Sequence, residues 1–526
     1  GIFSGLSTFD ELERRIIKNL PDAYSRGKAF EVFATAYLKT IRHHEVAEIW
    51  PDDTAPSELL NKHGIALSDH GVDGVWVSPS GELSAYQVKF RASRPNLSWS
   101  GDKLSNLFGQ TDGPGIRQRV VFTNCDGFAD VVNERRDFFC IRGTDLDRLK
   151  REDFEAIERW LRTAVVTFEK RVPRAHQAEA LEILIPAFKT HDRLSAILAC
   201  GTGKTLLTLW VAERMAARTV LVLLPSLALL RQTLHEWLRY TSIPSLAYYC
   251  ICSDHSVAKD ADIISTKQHD LDFVVSTQPE GLRAFLDAPF NGVKWVFCTY
   301  QSAEVVGKAM KPGEQFELGI FDEAHKTAGR EGRKFQFALE DGNIAVAKRL
   351  FVTATPRRYN PHEREDGESA LVCSMDNEAI YGPQLFKLPF RRAVQEGIIC
   401  GYKVIISIID SMMVDEHQIR HGTALVGEDE IVARQVANQI AVQNAVEEHP
   451  IRKVFTFHKT VREAKSFVAD GPEGIKTHLP SFQCYHVSGS MLTSVRERNL
   501  KDFAAADCAI VSNARCLTEG VDVPSV

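Results

Sequence analysis

The sequence predicts a multidomain α/β protein in which one α/β domain is followed by two parallel-sheet domains, the second of them incomplete. Three observations support this fold class. The chain has 526 residues, which at roughly 150 residues per domain corresponds to about three domains. Apolar strand-like runs alternate with helix-like stretches after residue 165, as in parallel sheets. Before that point, helix-like stretches are followed by short strands separated by Gly, Pro and Ser.

The domain boundaries are placed where this pattern changes. The first domain begins with helices predicted at 9–20 and 28–41 and ends in a helix-like stretch near residue 165. A charged segment that begins at Arg357 and contains Pro361 and Gly367 interrupts the alternation and marks the second boundary. The predicted domains are 1–165, 166–380 and 381–526.

Composition excludes several classes of protein. With 44% hydrophobic and 25% charged residues, the chain has an ordinary globular composition. Its net charge of −6 neither requires nor excludes a nucleic-acid partner, because such binding depends on a local basic groove. The 11 cysteines include no Cys-x-x-Cys pair, so no zinc or disulfide framework is expected. The longest apolar run, 220–230, is far shorter than the roughly 20 residues of a membrane span, and we expect a cytoplasmic protein without a membrane partner.

A strand-like run at 195–200 leads directly into Gly201-Thr-Gly-Lys-Thr205 and then into a helix-like stretch. Strand, glycine loop and helix form the context that a phosphate-binding loop requires. The glycines let backbone N–H groups face phosphate oxygens, Lys204 supplies a mobile positive charge, and Thr205 offers a hydroxyl to Mg²⁺. The loop departs from the usual pattern at Leu198, where a glycine is expected, and a chance glycine turn is the alternative interpretation.

A second apolar strand, 316–321, ends in the adjacent acids Asp322 and Glu323. Asp322 at the strand end suits a metal-binding role, and Glu323 suits a general base that activates the attacking water. Paired acids at a strand end are also common as solvated turn residues. The phosphate loop upstream favours the catalytic interpretation.

The N-terminal domain contains a predicted β-hairpin formed by 74–77 and 83–90. If its turn centres on Ser80, Asp73 lies opposite Gln87, and the two-residue period places Asp73, Gln87 and Lys89 on one face. A one-residue slip would separate them. With Glu31 on a preceding helix, this arrangement suits phosphodiester hydrolysis with one or two divalent ions. The alternative is that Gln87 and Lys89 form the exposed face of an edge strand.

The phosphate loop and the acidic pair resemble the motifs of the superfamily 2 helicases and translocases, one branch of which is named after the Asp-Glu-Ala-His sequence found here at 322–325. Arg174-Ala-His-Gln177 matches the adenine-sensing segment of that family, and Thr353-Ala-Thr-Pro356 matches the segment that couples hydrolysis to strand movement. Segments at 224–230 and 299–302 resemble strand-contacting motifs, and 454–458, 486–489 and 518–522 resemble those of the second lobe. Each segment alone could be an ordinary strand-ending turn; the ordered set predicts two RecA-like domains.

The resemblance also implies which residues bind ATP, Mg²⁺ and nucleic acid. Lys204 and Glu323 would be catalytic, and Thr205 and Asp322 would hold the metal. The residues implied in nucleotide binding are Arg174, Gln177, Gly201, Thr202, Gly203, Lys204, Thr205, Asp322, His325, Gly520 and Asp522. Those implied in nucleic-acid contact are Ser226, Thr299, Thr353, Thr355, Ser488 and Thr518.

The last motif of this family, a helix with Gln and Arg residues whose arginines reach the γ-phosphate, would follow Asp522 by a few dozen residues. The sequence stops at Val526. Since an arginine finger contributes roughly 10³ to 10⁵ in rate, we expect these 526 residues alone to be a poor ATPase and the natural protein to continue.

The hairpin resembles the PD-(D/E)xK nuclease fold in its Mrr-like form, in which Gln-x-Lys replaces the acidic-x-Lys pair. The segment 26–31 resembles the first motif of that family and 70–73 the second. The resemblance implies a Mg²⁺- or Mn²⁺-dependent endonuclease. Glu31, Asp73, Gln87 and Lys89 would be its catalytic residues, and Asp73 and Gln87 its metal ligands.

The order of a nuclease-like domain and a helicase-like motor resembles the front half of single-chain type ISP restriction-modification enzymes and related phage-defence helicases. It implies a DNA partner, more readily duplex DNA than RNA, and a methyltransferase and specificity region elsewhere in the protein or in another subunit. No methyltransferase motif is present in these residues. The alternative is a helicase or remodeller whose N-terminal domain only binds DNA or a partner.

Two further groups in the N-terminal domain have less specific interpretations. The basic residues Lys89, Arg91, Arg94 and Lys103 surround Trp99 and could form a cationic stacking surface for DNA or a solvated loop. His43, His44 and His63 have no usual metal-ligand spacing, so we expect them at the surface.

Overall fold

The computed structural model describes most of the chain. The described residues up to Cys400 form one compact unit, and those from Gly401 onward form a second. The described ranges are 1–51, 54–63, 71–79, 81–111, 115–128, 138–166, 170–252, 271–329, 335–358, 373–404, 406, 423–426, 429–471, 474–489, 491 and 493–514.

The N-terminal domain, residues 1–165, is built on a mixed five-stranded sheet. The strands are β1 (Glu48–Pro51), β2 (Gly74–Val77), β3 (Leu83–Lys89), β4 (Ile116–Thr123) and β5 (Phe139–Ile141), and they lie in that order across the sheet. The first three strands are antiparallel, while β3, β4 and β5 are parallel. The helices are α1 (Phe9–Asn19), α2 (Ala23–Thr40), α3 (Ser57–His63), α4 (Leu104–Gln110), α5 (Gly143–Leu146) and α6 (Arg151–Thr163).

Side-chain caps and an aromatic core explain where the first helices lie. The Thr8 side chain accepts from the Glu11 amide at the start of α1, and Asp22 accepts from the Ser25 amide at the start of α2. Phe30 and Phe33 of α2 pack against Phe122 of β4, with ring centroids 5.4 and 6.1 Å apart. The aromatic contacts hold α2 against the sheet.

The predicted register of the hairpin is confirmed. Gly74 pairs with Tyr86 and Val77 with Leu83, so Asp73 precedes the first pair and stands opposite Gln87. A Cβ at Gly74 would lie 2.3 Å from the Tyr86 hydroxyl oxygen, so only glycine fits there. That hydroxyl lies 3.1 Å from Thr35 Oγ1 of α2. Tyr86 therefore fixes the hairpin against α2.

The first lobe, residues 170–400, contains a seven-stranded parallel sheet. Its strands are β6 (Arg193–Leu198), β7 (Thr219–Leu224), β8 (Leu246–Ile251), β9 (Val293–Thr299), β10 (Phe316–Asp322), β11 (Val346–Thr353) and β12 (Gln384–Leu388), in the spatial order β12-β6-β11-β10-β7-β9-β8. Its α-helices are α7 (Ala175–Ala187), α8 (Lys204–Arg214), α9 (Leu227–Tyr240), α10 (Pro279–Asp287), α11 (Ala303–Ala309), α12 (Glu378–Tyr381) and α13 (Phe390–Gln395). Short 3₁₀ helices lie at Tyr300–Ser302, Ala324–Thr327 and Phe337–Leu339.

The boundary predicted between 380 and 381 lies too early in the chain. Strand β12 follows it and pairs in parallel with β6. Gly382 has φ +66°, and a Cβ there would lie 1.9 Å from the Arg193 carbonyl oxygen, so the chain turns closely past β6 before it enters β12. The first lobe thus extends to about Cys400.

The second unit contains a three-stranded parallel sheet and a separate hairpin. The sheet has the order β15 (Lys453–Phe457), β17 (Ala509–Asn513) and β16 (Gln483–His486), and the hairpin is β13 (Thr423–Val426) with β14 (Asp429–Val432). The helices are α14 (Ala433–Glu448), α15 (Val461–Phe467) and α16 (Thr493–Ala505), with a 3₁₀ helix at Ile475–Thr477. The predicted fold class of an α/β domain followed by two parallel-sheet domains, the last one short, is confirmed.

Across the described residues, none of the helices combines the length and the apolar character needed to cross a membrane.

Candidate functional site

The phosphate loop lies between the end of β6 and the start of α8. Gly201 and Gly203 have φ of +78° and +81°, in the left-handed region that glycine adopts without strain. The Thr202 hydroxyl donates to the Ala199 carbonyl at 2.7 Å and closes the loop on itself. Lys204 and Thr205 are the first two residues of α8, so both stand at a helix N-terminus, where anions bind favourably.

The adenine-sensing segment contacts this loop directly. Gln177 donates from Nε2 to the Gly203 carbonyl at 3.1 Å, and its Oε1 accepts from the Arg174 amide at 2.9 Å. His176 Nε2 lies 2.9 Å from the Thr202 carbonyl oxygen. The sequence prediction did not include His176 among the binding residues, although it lies inside the matched segment Arg174-Ala-His-Gln177.

The acidic pair stands at the carboxyl end of β10, where the sheet brings it to the phosphate loop. Glu323 Oε1 lies 3.1 Å from Lys204 Nζ. Glu323 has a left-handed backbone with φ +47°, and its amide donates to Asp322 Oδ1 at 2.9 Å. Asp322 is further fixed by the Tyr300 hydroxyl, which donates to its carbonyl oxygen at 2.8 Å.

A chain of polar contacts leads from Glu323 to the segment at 353–356. His325 Nδ1 lies 3.3 Å from Glu323 Oε2 and 2.8 Å from Thr353 Oγ1. The same hydroxyl accepts from the Thr355 amide at 3.2 Å. The sequence motifs placed these residues separately, and the sheet order β6-β11-β10 brings them together.

Burial and charge act in opposite directions on the two central groups. Burial alone would raise the pKa of Glu323, but the hydrogen bond with His325 and the nearby Lys204 ammonium outweigh it and lower the pKa to about 2. Burial disfavours the Lys204 ammonium, but Glu323 and Asp322 more than compensate and raise its pKa. The pair is therefore ionised at neutral pH, with a negative base beside a positive phosphate-binding group.

The predicted nucleic-acid contacts differ in accessibility. Ser226 is half-buried and its Oγ accepts from the Leu229 amide, which caps α9. Thr355 is exposed. The Thr299 and Thr353 side chains are buried, with Thr299 Oγ1 2.9 Å from Ser302 Oγ. Ser488, in the second unit, is buried as well.

Three predicted site residues, Thr518, Gly520 and Asp522, lie outside the described residues.

In the N-terminal domain, Asp73, Gln87 and Lys89 come together at the end of the hairpin. The Asp73 carboxylate accepts from the Val88 amide at 2.6 Å, between the two other residues. Gln87 is fully buried, and its Oε1 has no hydrogen-bond partner among the described residues. Burial lowers the pKa of Lys89, and the nearby Asp73 acts in the opposite direction. The alternative in which Gln87 and Lys89 form a solvated edge does not fit this burial.

Glu31 lies on α2, one turn before Thr35, which contacts Tyr86 of β3. Its carboxylate is 2.8 Å from Lys28 Nζ on the same helix. Among the described residues no group of three or more His, Cys, Asp or Glu is arranged to hold a metal ion. A metal here would therefore depend on Asp73 together with the unpartnered amide oxygen of Gln87, which are oxygen donors suited to Mg²⁺ or Mn²⁺.

The basic residues around Trp99 are engaged in contacts within the N-terminal domain. Arg94 pairs with Glu13 and Asp147, Arg91 pairs with Asp102, and Trp99 packs on Phe108 at 4.9 Å. These arginines are tied within the domain and do not present a free cationic face.

The prediction that the three histidines lie at the surface is wrong. His43, His44 and His63 are half-buried. The rings of His43 and His44 lie 3.8 Å apart, and burial lowers their pKa values to about 4 and about 3. His63 lies so close to Gly115 that a Cβ there would be 2.5 Å from its Nδ1.

A phosphate loop at a helix N-terminus, an acidic pair at the end of β10 and a histidine–threonine contact beside it are the arrangement of a nucleotide-binding site. Two segments of the chain also match models of known protein families. Residues 170–358 match the family described as type III restriction enzyme, res subunit, and residues 437–526 match the helicase conserved C-terminal domain. In these two segments the chain is similar to the motor of superfamily 2 helicases, in agreement with its sequence motifs.

Known relatives agree with this assignment. The chain is 26% identical over 361 residues to the probable helicase A859L of African swine fever virus (isolate Pig/Kenya/KEN-50/1950), a match that covers 67% of this chain and 36% of the relative. The protein of the same name from strain Badajoz 1971 Vero-adapted is 26% identical over 362 residues, with the same coverage. The chain thus spans about a third of the length of these curated relatives.

The fold also resembles a solved structure over nearly the whole chain. The ATP-dependent type ISP restriction-modification enzyme LlaBIII bound to DNA superposes with a TM-score of 0.76 at 24% identity, covering 98% of this chain and 35% of that one. The resemblance includes the N-terminal domain, and it concerns the fold.

Proposed function

We propose that this chain is the ATP-dependent DNA translocase or helicase part of an enzyme whose N-terminal domain is a Mg²⁺-dependent endonuclease, and that it acts in the cytoplasm in restriction or defence against phage. The observation that carries the proposal is the convergence of Asp73, buried Gln87 and Lys89 at one hairpin end in a chain that also assembles a motor site. The LlaBIII structure supports the DNA partner, because that related enzyme is bound to DNA.

The motor geometry suggests how hydrolysis would be controlled. Lys204 Nζ lies 3.1 Å from Glu323 Oε1 and neutralises its charge. The γ-phosphate of ATP would compete for the Lys204 ammonium, which frees the Glu323 carboxylate to orient and deprotonate the attacking water. Thr205 and Asp322 would hold Mg²⁺, which would neutralise charge on the phosphates.

The release of Glu323 from Lys204 would also affect the segment 353–356, which the sequence motifs assign to strand movement. His325 contacts both Glu323 and Thr353, so a change at the carboxylate alters the hydrogen bonds of Thr353. The Thr355 amide is bonded to that hydroxyl, and the Thr355 side chain is exposed. Backbone and hydroxyl groups of this kind contact phosphates without reading sequence.

In the N-terminal domain, Asp73 and Gln87 would hold the divalent ion, and Lys89 would stand beside the attacked phosphate. The Val88 amide fixes the Asp73 carboxylate at 2.6 Å, so the ligand is positioned before the metal binds. Burial lowers the pKa of Lys89, which makes its ammonium a weaker competitor for the metal site and a better proton donor. Glu31 would be a further ligand or would orient the water.

A second candidate is a motor whose N-terminal domain binds DNA or a partner protein without cutting. The small number of acidic residues available as metal ligands favours this candidate. The Glu31 carboxylate pairs with Lys28, which leaves Asp73 as the acid of the hairpin site.

Asp73→Asn tests which candidate holds. We expect cleavage of plasmid DNA with Mg²⁺ or Mn²⁺ to fall by at least roughly 10²-fold, as when a metal ligand's charge is removed, while DNA-stimulated ATP hydrolysis stays at the wild-type rate. Asp22→Asn is the matched control, because Asp22 is an exposed helix cap that asparagine replaces well. Cleavage that is unchanged in Asp73→Asn would reject the site, and ATP hydrolysis without cleavage in the wild type would favour the second candidate.

A further inference from the structure

Helix α9 carries three basic side chains on one face, outside the apolar core of its lobe. Arg231, His235 and Arg239 are spaced by four residues and therefore lie along one stripe of the helix. The apolar face packs into the core of the first lobe through Leu230, Leu234, Trp237 and Leu238. The basic stripe therefore lies where the first lobe contacts the N-terminal domain.

Arg231 joins the two domains through buried acids. Its Nε donates to Asp272 Oδ1 at 2.8 Å, and its other end pairs with Asp145 of α5 in the N-terminal domain. Arg231, Asp145 and Asp272 are all buried. A guanidinium with two carboxylates in its fork makes charge-assisted bonds that fix both partners in direction as well as distance.

Asp272 is also held from the N-terminal side. Arg42, at the end of α2, donates to the Asp272 carbonyl at 2.9 Å and to its carboxylate at 3.2 Å. His235 lies 3.0 Å from the same carboxylate. Burial would raise the pKa of Asp272, but Arg231, His235 and Arg42 hold it well below its usual range.

The edges of the contact are polar too. Arg239 pairs with Asp153 of α6 at 2.8 Å, and the Tyr248 hydroxyl of β8 donates to Glu45 at 2.8 Å. Separating the domains would leave these buried charges without partners, which is unfavourable. The N-terminal domain and the first lobe are therefore joined by buried ion pairs within one compact unit.

The same helix reaches the nucleotide site and a strand-facing segment. The Trp237 indole N–H donates to the Thr205 carbonyl at 3.0 Å, and Thr205 directly follows Lys204 in α8. Trp237 is fully buried. At its other end, α9 is capped by Ser226, a predicted nucleic-acid contact.

We propose that α9 couples the nucleotide site to the N-terminal domain, with Arg231 and Arg239 as the positioning residues that transmit the contact through Asp145, Asp272 and Asp153. The inference rests on the proposed ATP-dependent function, because it needs nucleotide at the phosphate loop. It does not require that the N-terminal domain cuts DNA. It assigns to this helix a role that none of the predicted motif residues accounts for.

Hydrogen–deuterium exchange of the full-length protein tests the coupling, with and without a non-hydrolysable ATP analogue and Mg²⁺. In the wild type we expect the analogue to slow exchange at the phosphate loop and also at α5 and residues 41–46. In Arg231→Lys and Arg239→Gln we expect the slowing at the phosphate loop to remain and the slowing in the N-terminal domain to be lost. Arg239 is 30% exposed, so its variant keeps the test valid if Arg231→Lys fails to fold.

Arg283→Gln is the matched control, because Arg283 pairs with Asp287 and Glu314 inside the first lobe and leaves α9 untouched. It should retain both effects. Slowing confined to the phosphate loop of the wild type, or slowing at α5 that persists in both α9 variants, would overturn the coupling while leaving the ATPase proposal intact. No slowing at the phosphate loop would overturn both.

Discussion

At the scale of single residues, Glu323 is charged and held in a fixed position. Against the effect of burial, His325 and Lys204 lower the pKa of its carboxylate to about 2, and its backbone is left-handed at φ +47°. A non-glycine residue in that region costs about 1–3 kcal/mol, which the surrounding contacts must offset. Strain of this kind is concentrated at functional positions. Displacement of Lys204 from the Glu323 carboxylate by a phosphate would raise the basicity of that carboxylate.

Glu323→Gln should leave ATP binding in place and reduce ATP hydrolysis by roughly 10²- to 10⁴-fold, the usual contribution of a general base. The amide keeps the size of the side chain and loses the proton-accepting charge. The measurement is steady-state ATP turnover beside nucleotide affinity. Glu317→Gln is the control, since Glu317 is exposed on the same strand, and a fall of equal size in that variant would contradict the assignment.

The stability of the first unit should fall as the pH is lowered from about 6.5 to about 4. Burial lowers the pKa of His43 to about 4 and of His44 to about 3, so the unfolded chain binds more protons than the folded chain in that window. The stabilisation is present above the unfolded pKa and declines by at most ~1.4 kcal/mol per pH unit for each histidine.

Denaturant unfolding at pH 7 and pH 5 measures this loss. His44→Asn should lose less stability than the wild type over the same interval, whereas His191→Asn, which changes an exposed histidine, should behave like the wild type. Equal losses in the wild type and His44→Asn would show that His44 does not titrate in this way.

The sequence predicted the site residues that lie within local motifs and missed those that depend on distant contacts. Gly201 to Thr205 and Asp322 with Glu323 are short patterns with a known chemical purpose. His176 and the Glu323–Lys204 pair depend on strand order in the sheet, which spacing along the chain does not give. The half-burial of His43 and His44 likewise arises from neighbours far away in sequence.

At the scale of secondary-structure elements, the β2–β3 hairpin positions the candidate nuclease residues. Its register places Asp73 opposite Gln87, and the contact between Tyr86 and Thr35 ties it to α2. The close approach of Tyr86 to Gly74 leaves no room for a side chain.

Gly74→Ala should therefore destabilise the N-terminal domain by about 1–3 kcal/mol, as overpacking of a core does, and should displace Asp73. Thermal unfolding and metal-dependent cleavage would both report it. Gly27→Ala is the control: a Cβ there meets nothing within 4 Å, and alanine in the middle of α2 should stabilise by about 0.5–1 kcal/mol. Equal stability of Gly74→Ala and the wild type would contradict the packing described here.

Secondary-structure elements were predicted correctly where the turn residues and the hydrophobic periodicity agree. The prediction failed for a strand that pairs with strands far earlier in the sequence. The hairpin was predicted in its correct register because loop length fixes register. Strand β12 has no local signal for its partner, and only its pairing with β6 shows that the first lobe continues past residue 381.

At the scale of the whole molecule, the N-terminal domain and the first lobe share buried charges, and the second unit has its own parallel sheet. The proposed function therefore predicts that the N-terminal domain and the first lobe respond to ATP together, because buried ion pairs join them. The order of the domains along the chain predicts a nuclease-like domain before a motor, while the contacts of α9 could not be inferred from it.

The most direct test of this account is plasmid cleavage by the full-length protein in Mg²⁺, with and without ATP, in the wild type, Lys204→Ala and Lys348→Ala. Lys348 pairs with the exposed Asp192 and serves as the control. We predict ATP-dependent cleavage in the wild type and the control, and loss of ATP hydrolysis and of ATP-dependent cleavage in Lys204→Ala. Cleavage that proceeds equally in Lys204→Ala, with or without ATP, would contradict a motor-driven nuclease.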